Sequence, residues 1–161
     1  MTQKNIEFIQ GLFEYVEDSI KNENDQELSF KLYRLKEPIT NKKHYAVECS
    51  FYDSKAFSSI KKYIDYEEID NVIITLSLVK EYMEDKEGIP ITHQIYYISP
   101  NGIIIRGGQE FGLSNRALRM SFDESMTILI KDIQQLDTVL NYFKNVENMI
   151  IVNEELKTVP E

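Results

Sequence analysis

The sequence has few of the residues from which most catalytic and metal centres are built. Its 161 residues include one cysteine and two histidines. A single cysteine excludes an internal disulfide framework and any multi-cysteine zinc or iron–sulfur site. Cys49 alternates with Val47 and Phe51, so we expect a buried, unreactive thiol. Neither His44 nor His93 lies in a His-x-x-x-His or His-x-Glu pattern, and we expect no metal and no cofactor.

Long apolar runs are also missing. No run approaches the roughly 18 apolar residues of a membrane helix. The first thirty residues lack a basic start followed by an apolar signal core, so we expect a cytoplasmic chain that contacts no membrane. The hydrophobic share of 42% is that of a globular protein. The length predicts a single domain over residues 1–161, with residues 153–161 as a frayed tail.

Basic residues are also in the minority, because the chain has 18 of them against 27 acidic residues, which gives a net charge of −9. This balance disfavours direct binding to nucleic acid or to an anionic membrane. Residues 65–87 hold eight acidic residues against two lysines, a net charge of −6. Residues 99–122 reverse the sign: three of the four arginines stand against Glu110, and four of the six glycines lie there too.

The hydrophobic periodicity predicts an α+β domain. Apolar residues at steps of three and four predict an N-terminal helix over residues 3–22, and Asp53 precedes a short middle helix over residues 56–64. A C-terminal helix begins after Asp132. Alternating or continuous apolar runs predict the strands, at residues 28–32, 45–51, 72–79, 91–98, 103–106, 116–122 and 126–130.

The predicted elements assemble into one antiparallel sheet of about six or seven strands with three helices packed on it. The segment Ser99-Pro100-Asn101-Gly102 is the strongest turn signal. The strand over residues 72–79 is apolar on both faces, which predicts a central position. The expected core consists of Ile9, Phe13, Val16, Phe30, Val47, Phe51, Ile74, Leu76, Leu78, Ile104, Leu136, Leu140 and Phe143.

The acidic segment is the first candidate site. It lacks the spacing and the glycine of a calcium loop, so it is either solvated surface or a binding surface for a basic partner. Tyr63 and Tyr66 favour the second interpretation, because interleaved aromatic side chains add contact area. The predicted partner-binding residues are Asp65, Tyr66, Glu67, Glu68, Asp70, Glu81, Glu84, Asp85 and Glu87.

The glycine- and arginine-rich loop over residues 106–119 is the second candidate site. Glycine lets backbone N–H groups approach an anion, and arginine grips phosphate or carboxylate with two hydrogen bonds. The loop lacks the Lys-Ser/Thr ending of a P-loop. The alternative is a mobile loop whose arginines neutralise acidic neighbours. The predicted anion-binding residues are Arg106, Gly107, Gly108, Arg116 and Arg119.

These features predict a non-enzymatic acidic protein that occludes a macromolecular partner with a basic surface. Immunity proteins and phage antagonists of host defence, some of which mimic nucleic acid, are of this kind. One alternative is a module that binds a small anionic ligand or nucleotide at residues 106–119. A second is an acidic chaperone-like dimer, a role that suits a domain of this size and charge with a helix at each end. We also predict a homodimer, because residues 103–105 and 149–152 offer more apolar surface than one small sheet covers. An enzyme ranks last, since no nucleophile has an identifiable base.

Overall fold

The computed structural model describes residues 7–8, 17–36, 43–84, 88–109 and 116–158. Within these residues, nine strands form two antiparallel sheets, and two α-helices pack against them. The α+β class is confirmed. The strands are more numerous than the six or seven predicted, they divide between two sheets, and the described helices number two instead of three.

The first sheet, sheet A, is built around two long strands that form a hairpin. Its strands are β1 (Glu7–Phe8), β2 (Glu17–Lys21), β3 (Gln26–Lys36), β4 (Lys43–Asp53) and β5 (Ser58–Asp65). β1 and β2 both pair with the same edge of β3, and β4 and β5 follow on its other side. Alternating apolar residues of β3 and β4 face the core in register, for example Phe30 opposite Cys49 and Leu32 opposite Val47.

The second sheet, sheet B, is a four-stranded meander in sequence order. Its strands are β6 (Ile95–Ile98), β7 (Ile104–Gln109), β8 (Arg116–Ser121) and β9 (Thr127–Ile130). The predicted turn joins β6 to β7: Gly102 has a φ of +93° and donates its N–H to Ser99 O at 2.9 Å. The predicted strands over residues 116–122 and 126–130 correspond to β8 and β9, which form a hairpin. The carboxylate of Asp123 accepts the N–H groups of Ser125 and Met126 at 2.8 Å, which lowers the pKa of Asp123.

The two helices cross over: the helix that follows sheet A in the chain packs on sheet B, and the helix that follows sheet B packs on sheet A. Helix α1 (Ile69–Met83) follows sheet A through a 3-10 turn but packs on sheet B. Gly107 permits this approach, because a Cβ there would lie 2.7 Å from Val79 Cγ2. Helix α2 (Ile133–Thr158) begins after Asp132, whose carboxylate accepts the N–H of Gln134 at 2.9 Å, as predicted.

The two halves share one core. Helix α2 packs on sheet A, where the Phe30 ring lies 5.1 Å from the Tyr142 ring and 5.5 Å from the Phe143 ring. Phe51 of sheet A stacks on Phe122 beyond β8 of sheet B, with centroids 5.5 Å apart. The predicted core residues that are buried are Phe30, Val47, Phe51, Leu76, Leu136, Leu140 and Phe143.

Two predicted helices are wrong in their described parts. The segment over residues 3–22 contains β1 and β2, which pair with β3, and its predicted core residues Ile9, Phe13 and Val16 lie outside the described residues. The segment over residues 56–64 is mostly β5. Asp53 does accept the N–H groups of Lys55 and Ala56, but the chain then turns back to pair with β4. Pairing with a long neighbouring strand outweighs helical spacing.

The predicted central strand over residues 72–79 is also wrong, because it belongs to α1. Ile74 and Leu78 were assigned to the core, yet they are 57% and 45% exposed on the helix. A short run with apolar residues on both faces fits a buried strand or a helix equally well. The predicted strand over residues 91–98 is shorter in the structure, and α2 continues through residues 149–158.

The apolar residues that suggested a dimer are largely buried within the fold. Ile103, Ile105 and Ile150 are buried, while Ile104 is half-buried. The homodimer stays a prediction with less exposed apolar surface behind it, although Ile151 is still 40% exposed. Among the described helices, none is long and apolar enough to cross a membrane.

Candidate partner-binding surfaces

Glu68 was predicted to face a partner, but its carboxylate lies inside the fold and the residue is only 6% exposed. Glu68 Oε1 accepts hydrogen bonds from the Ser99 hydroxyl at 2.6 Å and from the Tyr97 hydroxyl at 3.0 Å. Glu68 Oε2 accepts the N–H of Asp65 at 3.0 Å. Burial and this carboxylate together raise the pKa of Tyr97. Glu68 thus fastens the β6–β7 hairpin to the start of α1 and is not available to a partner.

Three other acidic residues of this region, Glu67, Asp70 and Glu81, lie on the solvent side of α1 and the turn before it. Asp70, Ile74, Leu78 and Glu81 recur at three- and four-residue steps, which places them on one side of the helix. Glu67 precedes them in the 3-10 turn. All five side chains are exposed. We call these five residues the acidic stripe.

The acidic stripe has an apolar centre between carboxylates. Asp70 and Glu81 lie roughly 16 Å apart along the helix axis at 1.5 Å per residue. Ile74 and Leu78 occupy the two turns between them. Lys80 does not neutralise the stripe, because its Nζ is 2.7 Å from Asp137 Oδ1 on α2, a contact that raises the pKa of Lys80.

Asp70 has a second acidic neighbour across the helix pair. A hydrogen bond to Asp70 and partial burial raise the pKa of Glu147, on α2, to about 7. Two carboxyl groups that share a hydrogen bond cannot both ionise without repulsion. Glu147, which lies beside the N-terminal end of the acidic stripe, therefore changes its charge near neutral pH.

The nine predicted partner-binding residues do not form a single patch. Asp65 and Tyr66 are exposed near the start of α1, whereas Glu84 lies at its other end. Asp85 and Glu87 lie outside the described residues. The sequence interpretation missed Ile74 and Leu78 as surface residues because it placed them in a buried strand.

The predicted anion-binding residues also separate. The Arg116 guanidinium donates to Tyr82 O at 3.1 Å and to Ile89 O at 2.7 Å, and it lies 4.6 Å from the Tyr82 ring centroid. Arg116 therefore secures the C-terminal end of α1. Gly107 is buried beneath α1. Arg106 and Arg119 come together on the outer face of sheet B, directly opposite each other on β7 and β8, and Gly108 lies two positions along β7 on the same face.

A groove of about 480 Å³ crosses the outer face of sheet A. Its floor is a row of small side chains in register, Ser19, Ser29 and Ser50. Glu48 forms part of one wall and accepts hydrogen bonds from the Ser50 hydroxyl at 3.3 Å and the Tyr63 hydroxyl at 3.0 Å. Burial and Glu48 raise the pKa of Tyr63 to about 12. The groove is polar, and Glu48 bonds to Ser50 and Tyr63 at this wall.

Cys49 and the two histidines do not build a reactive centre in the described part of the chain. Cys49 is fully buried, which raises the pKa of its thiol far above the usual range. His93 is exposed and His44 is half-buried. No group of three or more His, Cys, Asp and Glu side chains within the described ranges is arranged to hold a metal ion.

Comparison of the chain with protein-family models, with curated proteins and with solved structures finds no match.

Proposed function

We propose that this chain is a non-enzymatic binding protein that docks the acidic stripe of α1 on a basic surface of a macromolecular partner and occludes it. Immunity proteins and phage antagonists of host defence act in this way. The partner is a protein whose basic residues surround a shallow apolar pocket.

The exposure of Ile74 and Leu78 between carboxylates carries this proposal. Protein interfaces commonly combine an apolar centre, which is fully desolvated on binding, with a charged rim. The folded chain does not need these two side chains in its core, because α1 buries its opposite face with residues such as Val72, Leu76 and Val79. Two neighbouring aliphatic side chains on the solvent side of a helix suit an external contact.

Charge supports the same partner chemistry. The protein carries a net charge of −9, and three of its exposed carboxylates, those of the acidic stripe, surround the apolar pair. A basic partner is attracted over a distance set by the Debye length, about 8 Å at physiological salt, so association should slow as salt rises. Proteins that bind nucleic acid carry such basic surfaces.

The affinity at stake can be judged from the exposed apolar surface. Full burial of an isoleucine or leucine side chain is worth roughly 1.5–3 kcal/mol. Ile74 and Leu78 still expose 57% and 45% of their surface. Burying that remainder against a partner is therefore worth about 2 kcal/mol for the pair. This corresponds to about 30-fold in the dissociation constant.

Capture from a lysate of the source cells, with matched variants, tests the proposal. The stripe variant carries Glu67→Lys, Ile74→Ser, Leu78→Ser and Glu81→Lys. The control variant changes two exposed aromatic residues and two exposed acids elsewhere, with Glu23→Lys, Tyr52→Ser, Phe57→Ser and Glu124→Lys. We expect the wild-type chain and the control variant to retain the same stoichiometric protein with a basic surface, and the stripe variant to lose it.

Far-UV circular dichroism and the thermal midpoint verify that both variants are folded. Equal capture by the stripe variant, or capture of no stoichiometric protein by the wild-type chain, would contradict the proposal.

A further inference from the structure

The outer face of sheet B is a second surface with the opposite charge. Inward-facing residues of its strands lie under α1, and the alternate residues point away from the helix. Among the described residues, this outer face carries both apolar and basic side chains. We call it the arginine face, and its members are Tyr96, Ile98, Ile104, Arg106, Arg119 and Leu129.

The two arginines of the arginine face occupy directly opposed positions. Arg106 on β7 is the cross-strand partner of Arg119 on β8. Side chains at opposed positions have Cβ atoms roughly 5 Å apart, and like charges there are destabilising. Within the part of the chain that the structure describes, neither guanidinium has a hydrogen bond or an ion pair, and no acidic side chain lies at an outer-face position of sheet B.

Apolar side chains flank this pair on the same face. Tyr96 is the cross-strand partner of Arg106 and is 63% exposed, and Ile98, one position along the face, is 59% exposed. On the other side Leu129 is the partner of Arg119. Tyrosine and arginine are, with tryptophan, the residues enriched among those that dominate binding energy in interfaces.

We propose that the arginine face binds an acidic segment of a second protein. A carboxylate of that segment is held by Arg106 and Arg119 together, and its apolar side chains pack on Tyr96 and Ile98. Guanidinium groups bind carboxylates through two parallel hydrogen bonds, and a carboxylate between the arginines removes the repulsion that the free chain bears.

A protein segment fits this face better than a nucleic acid does. Single-stranded nucleic acid is held by several aromatic side chains on which successive bases stack. The arginine face has one aromatic residue, Tyr96, and its other apolar members are aliphatic. The net charge of −9 also repels a long polyanion more strongly than it repels a segment with a few carboxylates.

This surface goes beyond the proposed function. The acidic stripe faces away from sheet B on the outside of α1, and the arginine face lies on the other side of the same two layers. A basic partner and an acidic partner therefore fit the chain at the same time. The two sites can be inactivated separately.

A labelled twelve-residue peptide made of Glu-Glu-Leu-Leu repeats is a direct probe, with fluorescence anisotropy as the readout on the full chain. We expect a dissociation constant on the order of 10–100 µM, as for a small transient interface. Arg106→Gln with Arg119→Gln should weaken binding at least tenfold, as should Tyr96→Ser with Ile98→Ser. Lysine at both arginine positions should restore only part of the affinity, since lysine cannot donate in the paired geometry.

The controls separate this site from the acidic stripe. Lys55→Gln with Lys144→Gln removes the same charge from two exposed positions elsewhere and should leave peptide binding unchanged. The stripe variant should also bind the peptide normally, so the failure of one proposal does not decide the other.

Three outcomes would overturn the inference. They are no binding at about 1 mM peptide, equal binding by the Arg106→Gln and Arg119→Gln variant, and tighter binding of an oligothymidylate than of the acidic peptide. Sedimentation of the chain alone adds a further check: self-association that the double arginine substitution abolishes would assign the face to a second copy and contradict the proposal.

Discussion

Replacing Glu68 by alanine tests whether this carboxylate belongs to the scaffold or to a partner surface. The substitution removes the acceptor for the Ser99 hydroxyl, the Tyr97 hydroxyl and the Asp65 N–H. A hydrogen bond to a charged group is worth about 1.5–3 kcal/mol, and a buried hydroxyl left unpaired costs about 1–3 kcal/mol. The desolvation that the carboxylate undergoes in the folded state offsets part of this sum. We expect a loss of about 3–5 kcal/mol.

Urea unfolding followed by far-UV circular dichroism measures this loss, since the chain has no tryptophan for fluorescence. Glu67→Ala is the matched control, because Glu67 is exposed one residue away, and its effect should stay within about 0.5 kcal/mol. A double-mutant cycle between Glu68→Ala and Ser99→Ala should show a coupling energy above about 1 kcal/mol. Equal unfolding free energies for Glu67→Ala and Glu68→Ala would refute the assignment of Glu68 to the scaffold.

Two further predictions concern helix α1. Gly107→Ala should lower the unfolding free energy by about 1–3 kcal/mol, because the new Cβ would lie 2.7 Å from Val79 Cγ2. Gly108→Ala is the matched control, because its Cβ would approach only Gln94 Cγ, at 3.9 Å. In the same urea assay its effect should stay within about 0.5 kcal/mol. The raised pKa of Glu147, about 7 in the folded state against a reference of 4.5, means that the folded state binds this proton more tightly. Stability should therefore fall as pH rises from about 4.5 to about 7. Glu147→Gln should flatten that part of the pH profile by roughly 0.5–1 kcal/mol, a range that allows for solvent screening, and an unchanged profile would contradict it.

Local signals were sufficient to predict several elements. The β3–β4 and β8–β9 hairpins follow from alternating apolar residues on either side of polar turns. Asp132 marks the start of α2 because its carboxylate caps the first turn. In each case the stabilising contact joins residues that are close in the sequence or lie on adjacent strands. The local sequence pattern therefore indicates the element.

The elements that were predicted wrongly depend on more distant partners or on a signal that was overlooked. β2 and β5 are strands because they pair with β3 and β4, and their own spacing does not specify this. Helix α1 does carry a local signal: Asp65 and Glu68 form a capping box at the turn that leads into it. Such a box before an apolar run favours a helix over the strand that was predicted.

The candidate sites could be predicted by charge but not by geometry. Composition identified the acidic segment and the arginine-rich segment. It could not separate Glu68, which is buried, from its exposed neighbour Glu67. Nor could it separate Arg116, which holds α1, from Arg106 and Arg119, because this division depends on which side of sheet B each strand position faces.

The residues of both proposed surfaces share a property that folding alone does not explain. Ile74 and Leu78 leave apolar surface in water although the opposite side of α1 already supplies the core contacts. Arg106 and Arg119 hold like charges at opposed strand positions, where a polar uncharged pair would be more stable. The positions of the two pairs on opposite sides of the α1 and sheet B layers would let the two proposed binding surfaces face away from each other.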